Sequence, residues 1–431
     1  MITKILIANR GEIAIRIIRT CKKLGIKTVA IYSKIDQDSL HVFMADEAIC
    51  IDSQNDNDGY TNYKSIILAA KNTRCDAIHP GYGFISESCE FAYEVEKNGL
   101  IWIGPSYSVM KSLDDKLKVK RIASKIGIPI IKDYKFNSIK EKDLPVAIKS
   151  VSGAGGRCIG IVERIQDLND LYNDIKSKSL NYFNSSKVYI EKFIDGFRHI
   201  EIQFIADKFG NIIICPERDC TIQRRRQKII EESPSSFLPE IIIDKLKSDA
   251  MLLIKECKYD NIGTIEFIVD KNLNYYFLEI NPRIQVEHAV TEMICDIDLV
   301  EYQINIALGN KIKNQLKKSK CYAIECRINA EDPYNNFYPS SGKVKFCNFP
   351  LGADIRIETC LYNGMYVNSY YDPLLMKIIC KGKTRISAIE RMKQALRELI
   401  IEEIDTNCNY LLEIIESNDF KNGNYDLTYI K

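Results

Sequence analysis

Thr264-Ile265-Glu266-Phe267-Ile268 and, after a short turn, Phe277-Leu278-Glu279-Ile280-Asn281-Pro282-Arg283-Ile284-Gln285-Val286-Glu287-His288 place a carboxylate inside each of two hydrophobic runs. The runs predict strands over 264–269 and 275–280, turning near Asn272. On such an antiparallel hairpin Glu266 and Glu279 lie almost opposite each other. A buried carboxylate is unfavourable unless it is paired or bound to a metal, and two facing ones repel. A divalent cation relieves that repulsion. Hard Mg2+ suits the two carboxylates, the Asn281 amide oxygen and phosphate oxygens. The plainer alternative is that one glutamate faces solvent or an arginine. If the chain stays extended, Arg283, Gln285 and Glu287 share one face. They would offer a cationic fork, an amide and a base to a small planar anion, with Arg283 contacting its oxygens bidentately. A charged surface strand fits less well, because Glu287 lies between Val286 and the run His288-Ala289-Val290.

Outward from this hairpin, the first hundred residues alternate between two periods. Residues 4–8 and 27–32 read as buried strands. Between them 11–24 has apolar positions at helical spacing (Ile13, Ile15, Ile17, Ile18, Cys21, Leu24), ended by Gly25. A strand–helix–strand unit implies a parallel sheet covered by helices. Residues 76–80 and 100–105 read as further strands whose terminal turns border a cleft. A second region begins near Leu113, with strands over 145–150, 188–193, 199–206 and 212–215 and a helix over 239–257. A third, from about 320, is mixed strands ending in an amphipathic helix over 385–403. The expected class is multidomain, α/β followed by α+β.

Three other segments carry chemistry. Lys149 ends a strand that runs into Ser152-Gly153-Ala154-Gly155-Gly156-Arg157. Glycine backbone amides can wrap phosphate oxygens while a lysine neutralises them, although a simple hairpin turn would look the same. No Gly-Lys-Ser/Thr closes the loop, so it is not a P-loop. Gln223-Arg224-Arg225-Arg226-Gln227-Lys228 reads as an anion-facing strand, a nucleic-acid patch or a localisation signal. Arg327, inside Cys326-Arg327-Ile328-Asn329-Ala330-Glu331-Asp332, would alone be read as a structural ion-pair partner. With 60 basic and 58 acidic residues in 431, the net charge of +2 argues against nucleic acid. The fifteen cysteines are scattered without a CxxC pair, which argues against a disulfide framework or a structural zinc site. The short apolar N-terminus is not a signal peptide, and no run of 18 apolar residues predicts a membrane span. A cytoplasmic protein is expected, or one inside an organelle after loss of a transit peptide.

Together these segments resemble the biotin carboxylases of the ATP-grasp superfamily, over almost the whole chain. The specific motifs are 7–14, His79-Pro80-Gly81-Tyr82-Gly83-Phe84, Arg283-Ile284-Gln285-Val286-Glu287-His288 with Val290-Thr291-Glu292-Met293, and 325–333. The resemblance implies a Rossmann-like N-terminal domain (1–113), an ATP-grasp core (114–310) with a mobile lid at about 122–194, and a mixed C-terminal domain (320–431). It implies that Lys116, Lys149, Gly155 and Gly156 meet ATP phosphates. Glu191, Lys192 and Ile194 would hold adenine, with His199 and Gln223 near the ribose and phosphates. Glu266, Glu279 and Asn281 would hold Mg2+ or Mn2+. Lys228, Arg283, Gln285 and Val286 would cradle bicarbonate, and Glu287 would deprotonate it. Arg327 would stabilise the biotin enolate, and Tyr82 and Gly83 would border that substrate. No Ala-Met-Lys-Met biotinylation segment precedes Lys431, so biotin is expected on a separate carrier protein. Carboxyltransferase subunits would complete an acetyl-CoA carboxylase-type complex serving fatty-acid synthesis, and a homodimer is expected. The chain departs from the family pattern at Ala154 and Cys158, at Arg226 where a histidine is usual, and in a shortened lid. All three touch the nucleotide side. Another ATP-grasp ligase, a non-catalytic subunit and a nucleic-acid binder are the competing readings.

Overall fold

The computed structural model describes residues 2–51, 59–151, 158–183, 185–313, 316 and 320–430. The N-terminal alternation produces a five-stranded parallel sheet in the order β3-β2-β1-β4-β5. Its strands are β1 (Lys4–Ile7), β2 (Lys27–Tyr32), β3 (Glu47–Cys50), β4 (Ala77–His79) and β5 (Ile101–Trp102). Each face of β1 is buried. Ile5 and Ile7 pack with Ile13 and Ile17 of helix Gly11–Lys23. Leu6 packs on the opposite side with Ile66, Phe91 and Trp102. Burial on both faces is why the strand reads as a continuous apolar run. Gly25 has φ +70, the left-handed turn that ends the first helix.

A small antiparallel sheet, β6-β9-β7-β8, follows: β6 (Asp133–Tyr134), β7 (Val146–Ser150), β8 (Ile159–Val162) and β9 (Val188–Lys192). It has its own core around Val146, Ile148, Cys158 and Ile190.

The largest sheet has eight antiparallel strands. It runs β14 (Tyr275–Asn281), β13 (Asn261–Val269), β10 (Arg198–Ala206), β11 (Ile212–Arg224), β12 (Gln227–Ser233) and β15 (Tyr322–Asn329), then Leu374–Gly382 and Ile355–Thr359. It continues across residue 320, because β12 pairs with β15 through Ile230↔Cys326 and Glu231↔Glu325. One face is apolar, with helix Glu240–Glu256 at one end and Arg385–Glu398 at the other. The opposite face carries buried charges.

Three sequence expectations need correction. β11 extends from Ile212 to Arg224 rather than ending at 215. The basic run is no continuous strand. It is the tip of the β11–β12 hairpin, with Arg225 and Arg226 at φ +48 and +67. The helix predicted over 385–403 stops at Glu398. Ile400–Ile401 then pairs with Cys347–Asn348, and helices Cys408–Glu416 and Asn418–Asn422 follow.

Candidate active site

The ladder aligns four charged residues across neighbouring strands. Glu201 pairs with Arg218 on one side and Glu266 on the other, and Glu266 pairs with Glu279. The predicted opposition of Glu266 and Glu279 is therefore present, but both have protein cations. Lys116 Nζ reaches Glu279 Oε2 at 2.6 Å. Lys228 Nζ lies 3.0 Å from Glu266 Oε1, and His199 Nε2 lies 3.0 Å from Glu266 Oε2. The Asn281 amide donates to Glu266 Oε1 at 3.0 Å, so its nitrogen faces the carboxylate and its oxygen accepts from Arg283 Nη2 at 3.2 Å. Burial acts to raise the pKa of Glu266, yet Lys228 and His199 hold it well below the usual carboxylate range. Among the described residues, the groups whose donor atoms lie within 4.8 Å of one another are His199–Glu201–Glu266 and Glu201–Cys220–Glu287, so Glu266 gathers with His199 and Glu201 more closely than with Glu279. Carboxylate oxygens balanced by lysine ammoniums form a donor set that would suit a hard divalent cation in place of those ammoniums.

Lys228 is the centre of the site. Its Nζ also meets Glu201 Oε2 at 2.6 Å and Glu287 Oε1 at 2.7 Å. The other oxygen of Glu287 accepts from Arg327 Nη2 at 2.9 Å. Glu287 is 1% exposed, and burial alone would raise its pKa; Lys228, Arg327 and Arg218 hold it well below the ordinary range. Arg283, Gln285 and Glu287 do converge, although only Asn281 of this segment is strand and Glu287 is the N-cap of helix His288–Cys295. Arg283 Nη1 donates to Gln285 Oε1 at 2.7 Å, and Gln285 Nε2 donates to Glu266 Oε1 at 3.2 Å. Arg283 Nε is held by Glu87 at 2.6 Å. The Val286 carbonyl accepts from Lys377 Nζ at 2.7 Å, which fixes the peptide leading into Glu287.

The small sheet brings a second charged cluster beside the first. Lys149 and Lys120 grip the two oxygens of buried Glu191 at 2.5 and 2.7 Å. Lys116 and Lys120 stand one turn apart on helix Lys116–Lys125, so one helix face links Glu279 in the large sheet to Glu191 in the small one. Lys192 uses its side chain within the small sheet, donating to the carbonyls of Asp143 and Leu144 at 3.0 and 2.9 Å. Ile194 lies just past β9, half-buried. Gln223 Nε2 contacts His199 Nδ1 at 3.2 Å. Gly155 and Gly156, with Ala154, lie outside the described residues. Cys158 is buried in the small sheet's core, and its carbonyl accepts from Ser150 N at 3.1 Å. Tyr82 donates to Glu12, while Gly81 and Gly83 on either side take φ +63 and +70. At Gly81 a Cβ would come within 2.9 Å of Asn9 Nδ2, so only glycine fits both its backbone and the space.

Several participants escaped sequence reasoning: Glu201, Arg218, Glu231, Lys120 and Lys377. Glu201 and Lys377 are single charges within apolar strands, the same signal that marked Glu266, whereas Arg218, Glu231 and Lys120 sit beside other charged residues and read as surface. Among the described residues, no helix is long and apolar enough to cross a membrane.

The chain is similar to known proteins along its whole length. Residues 1–110 match the biotin carboxylase N-terminal domain, 108–315 the ATP-binding domain of the carbamoyl-phosphate synthase L chain, and 325–431 the biotin carboxylase C-terminal domain. Biotin carboxylase 1 of Bacillus subtilis is 42% identical over 100% of this chain and 98% of its own. The propionyl-CoA carboxylase alpha chain of Sus scrofa is 39% identical over 99% of this chain and 60% of its own. A biotin carboxylase–ATP complex from Campylobacter jejuni superposes with a TM-score of 0.97 at 41% identity, covering 100% of this chain and 98% of that one. The biotin carboxylase domain dimer of Hydrogenobacter thermophilus 2-oxoglutarate carboxylase, in complex with MgADP and bicarbonate, superposes with a TM-score of 0.96 at 39% identity, covering 100% and 97%. With all three domains matched and the full length shared with such relatives, the chain belongs to the biotin carboxylase family of ATP-grasp ligases.

Proposed function

We propose that this chain carboxylates biotin held on a separate carrier protein, by activating bicarbonate with ATP through carboxyphosphate. The observation that carries the reading is Glu287, an ionised carboxylate clamped between Lys228 at 2.7 Å and Arg327 at 2.9 Å. A base gripped by two cations is weak. Lys228, however, is divided among three carboxylates, and an arriving bicarbonate competes for it. As Lys228 turns to the substrate, Glu287 regains basicity and accepts the bicarbonate proton. Arg283 and Gln285 orient the anion, and the Val286 peptide is steadied by Lys377. The bicarbonate oxygen attacks the γ-phosphorus, and ADP departs as the O–P bond forms. Lys116, Lys149, His199 and Gln223 face the nucleotide in this reading, with Glu191, Lys192 and Ile194 at the base.

Glu266, Glu279 and Asn281 are the residues that would hold Mg2+ or Mn2+, which supplies charge neutralisation for phosphoryl transfer. Carboxyphosphate then releases CO2, and its phosphate takes the proton of the biotin ureido nitrogen. Arg327 stabilises the resulting enolate beside Tyr82 and Gly83. Residues 1–113, 114–310 and 320–431 act as the three domains, and closure of the small sheet (about 122–194) excludes water. A homodimer, carboxyltransferase subunits and service to fatty-acid synthesis complete the proposal.

Two variants test the division of labour. Glu287→Gln should abolish bicarbonate-dependent ATP cleavage. Arg327→Gln should lower biotin carboxylation by two to three orders of magnitude, on the order of 3–4 kcal/mol, yet retain ATP cleavage. Equal loss of both activities in both folded variants would overturn the assignment.

A further inference from the structure

Glu231 and Glu325 face each other directly across β12 and β15, and both are 0% exposed. Glu231 Oε1 accepts from Arg327 Nε at 2.7 Å. The other Glu231 oxygen and both oxygens of Glu325 have no hydrogen-bond partner. Directly paired residues on such a ladder have Cβ atoms roughly 4.5–5.5 Å apart. Two ionised carboxylates at that separation, out of water and mostly unpartnered, repel strongly enough to retain a proton between them.

The surrounding charges do not remove this need. From β15 comes Arg327, two residues along on the same face. From strand Leu374–Gly382 comes Lys377, opposite Arg327, but its Nζ already serves Glu12 at 3.1 Å and the Val286 carbonyl at 2.7 Å. From the start of helix His288–Cys295 come Glu287 and His288, the latter kept neutral by burial and by Lys377. From β12 comes Lys228, shared by Glu201, Glu266 and Glu287. Among the described residues the connected cluster thus sets Glu12, Glu201, Glu231, Glu266, Glu287 and Glu325 against Arg218, Lys228, Arg327 and Lys377, with His199 beside Glu266. Of the facing pair, burial raises the pKa of Glu231 to about 7 despite the Arg327 guanidinium it touches, so Glu231 is the one that ionises first. Glu325 has no hydrogen-bond partner, and burial pushes its pKa well above the ordinary range against the attraction of Lys377 and Arg327.

We propose that Glu325 is a positioning residue that carries a proton at neutral pH, leaving Glu231 as the single counter-charge that aims Arg327 at Glu287. Ionisation of Glu325 adds a second anion beside Arg327 and draws the guanidinium off Glu287. Biotin carboxylation then falls at alkaline pH while bicarbonate-dependent ATP cleavage continues. This activity consequence rests on the role proposed for Arg327; the protonation does not.

The test compares full-length wild type with Glu325→Gln, whose amide copies a neutral acid. A native acid with a raised pKa keeps its proton while the unfolded chain releases it. Wild-type stability from this group is therefore intact below the unfolded glutamate value and declines as pH rises toward the native one. Urea titrations from pH 5 to 8 should show the variant gaining on wild type, approaching tenfold in folding constant per pH unit. The infrared C=O stretch of a buried carboxylic acid should be present in wild type and lost in the variant. A pH-independent stability difference, or no acid band in wild type, overturns the proposal. If Glu325→Gln does not accumulate folded, Glu231→Gln serves instead: burial still holds the proton on Glu325, so the acid band remains, whereas a band that disappears places the proton on Glu231 and overturns the proposal. If the proton is found but the alkaline loss of biotin carboxylation is the same in wild type and Glu325→Gln, the role of Arg327 fails and the protonation stands.

Discussion

Replacing Lys228 by Met would remove the one ammonium that three buried carboxylates share at 2.6, 3.0 and 2.7 Å. None of the three is left bare. Glu201 keeps Arg218 at 2.5 Å, Glu266 keeps His199 at 3.0 Å, and Glu287 keeps Arg327 at 2.9 Å. Removing one partner of a buried ion pair costs roughly 3–5 kcal/mol. Here the cost has a ceiling, because the variant can take up a proton instead. Protonating a glutamate of ordinary constant at pH 7 costs about 1.36 kcal/mol for each of roughly 2.7 pH units, or about 3.7 kcal/mol. The expected deficit is therefore about 3–4 kcal/mol at pH 7, shrinking to about 1 kcal/mol near pH 5 as the proton becomes easier to supply. Urea denaturation followed by circular dichroism at pH 5, 6, 7 and 8 reads this directly. Lys228→Arg, which keeps the charge, should retain most of the stability. A Met variant whose deficit is below 1 kcal/mol at pH 7, or does not shrink on acidification, would refute the charge-sharing argument.

Glu266→Gln and Glu279→Gln should each cripple ATP turnover and raise the Mg2+ needed for half-maximal rate; normal Mg2+ dependence in both would remove them from the metal site. Glu191→Gln weakens the hold on Lys149 and Lys120, and should raise KM for ATP several-fold with little change in KM for bicarbonate in steady-state assays. Burial keeps His41, His79 and His288 neutral, with the pKa pushed down to about 4 for His41, about 3 for His79, and well below the usual value for His288. Below pH 6.5 the unfolded chain protonates these histidines first, so stability should fall toward pH 4 by up to about 4 kcal/mol per pH unit, three protons' worth, in urea titrations. A flat profile from 6.5 to 5 would show that they are already charged or solvated in the native state.

The legible parts of the chain are those whose physics is local. β2 was readable because a β-rich apolar run follows a glycine that must turn. Glu266 and Glu279 were readable because a carboxylate inside an apolar strand demands an explanation, and their exact opposition followed from the hairpin. Their cations were not readable. Lys228 and Arg327 reach Glu287 from 59 and 40 residues away, along strands whose pairing no local pattern specifies. β11 looked finished at Cys215 because Glu217, Arg218 and Asp219 resemble a loop, whereas they are buried charges, Arg218 and Glu217 facing ion-pair partners. The tip at Arg225 and Arg226 carries no glycine, asparagine or proline to announce a turn, and its left-handed backbone is imposed by the strands it joins. The helix after Arg385 was overextended because Leu399-Ile400-Ile401 continues its apolar pattern, while the structure gives Ile400 and Ile401 to a strand partner.

The central claim is that ATP is cleaved here to activate bicarbonate for transfer to biotin. Phosphate release by the purified full-length chain with ATP and Mg2+ measures it most directly, with bicarbonate present or removed and with free biotin added or withheld. The account predicts release that requires bicarbonate, rises with biotin, and is accompanied by carboxybiotin. ATP hydrolysis indifferent to bicarbonate, or no carboxybiotin from a folded protein that cleaves ATP, would contradict it.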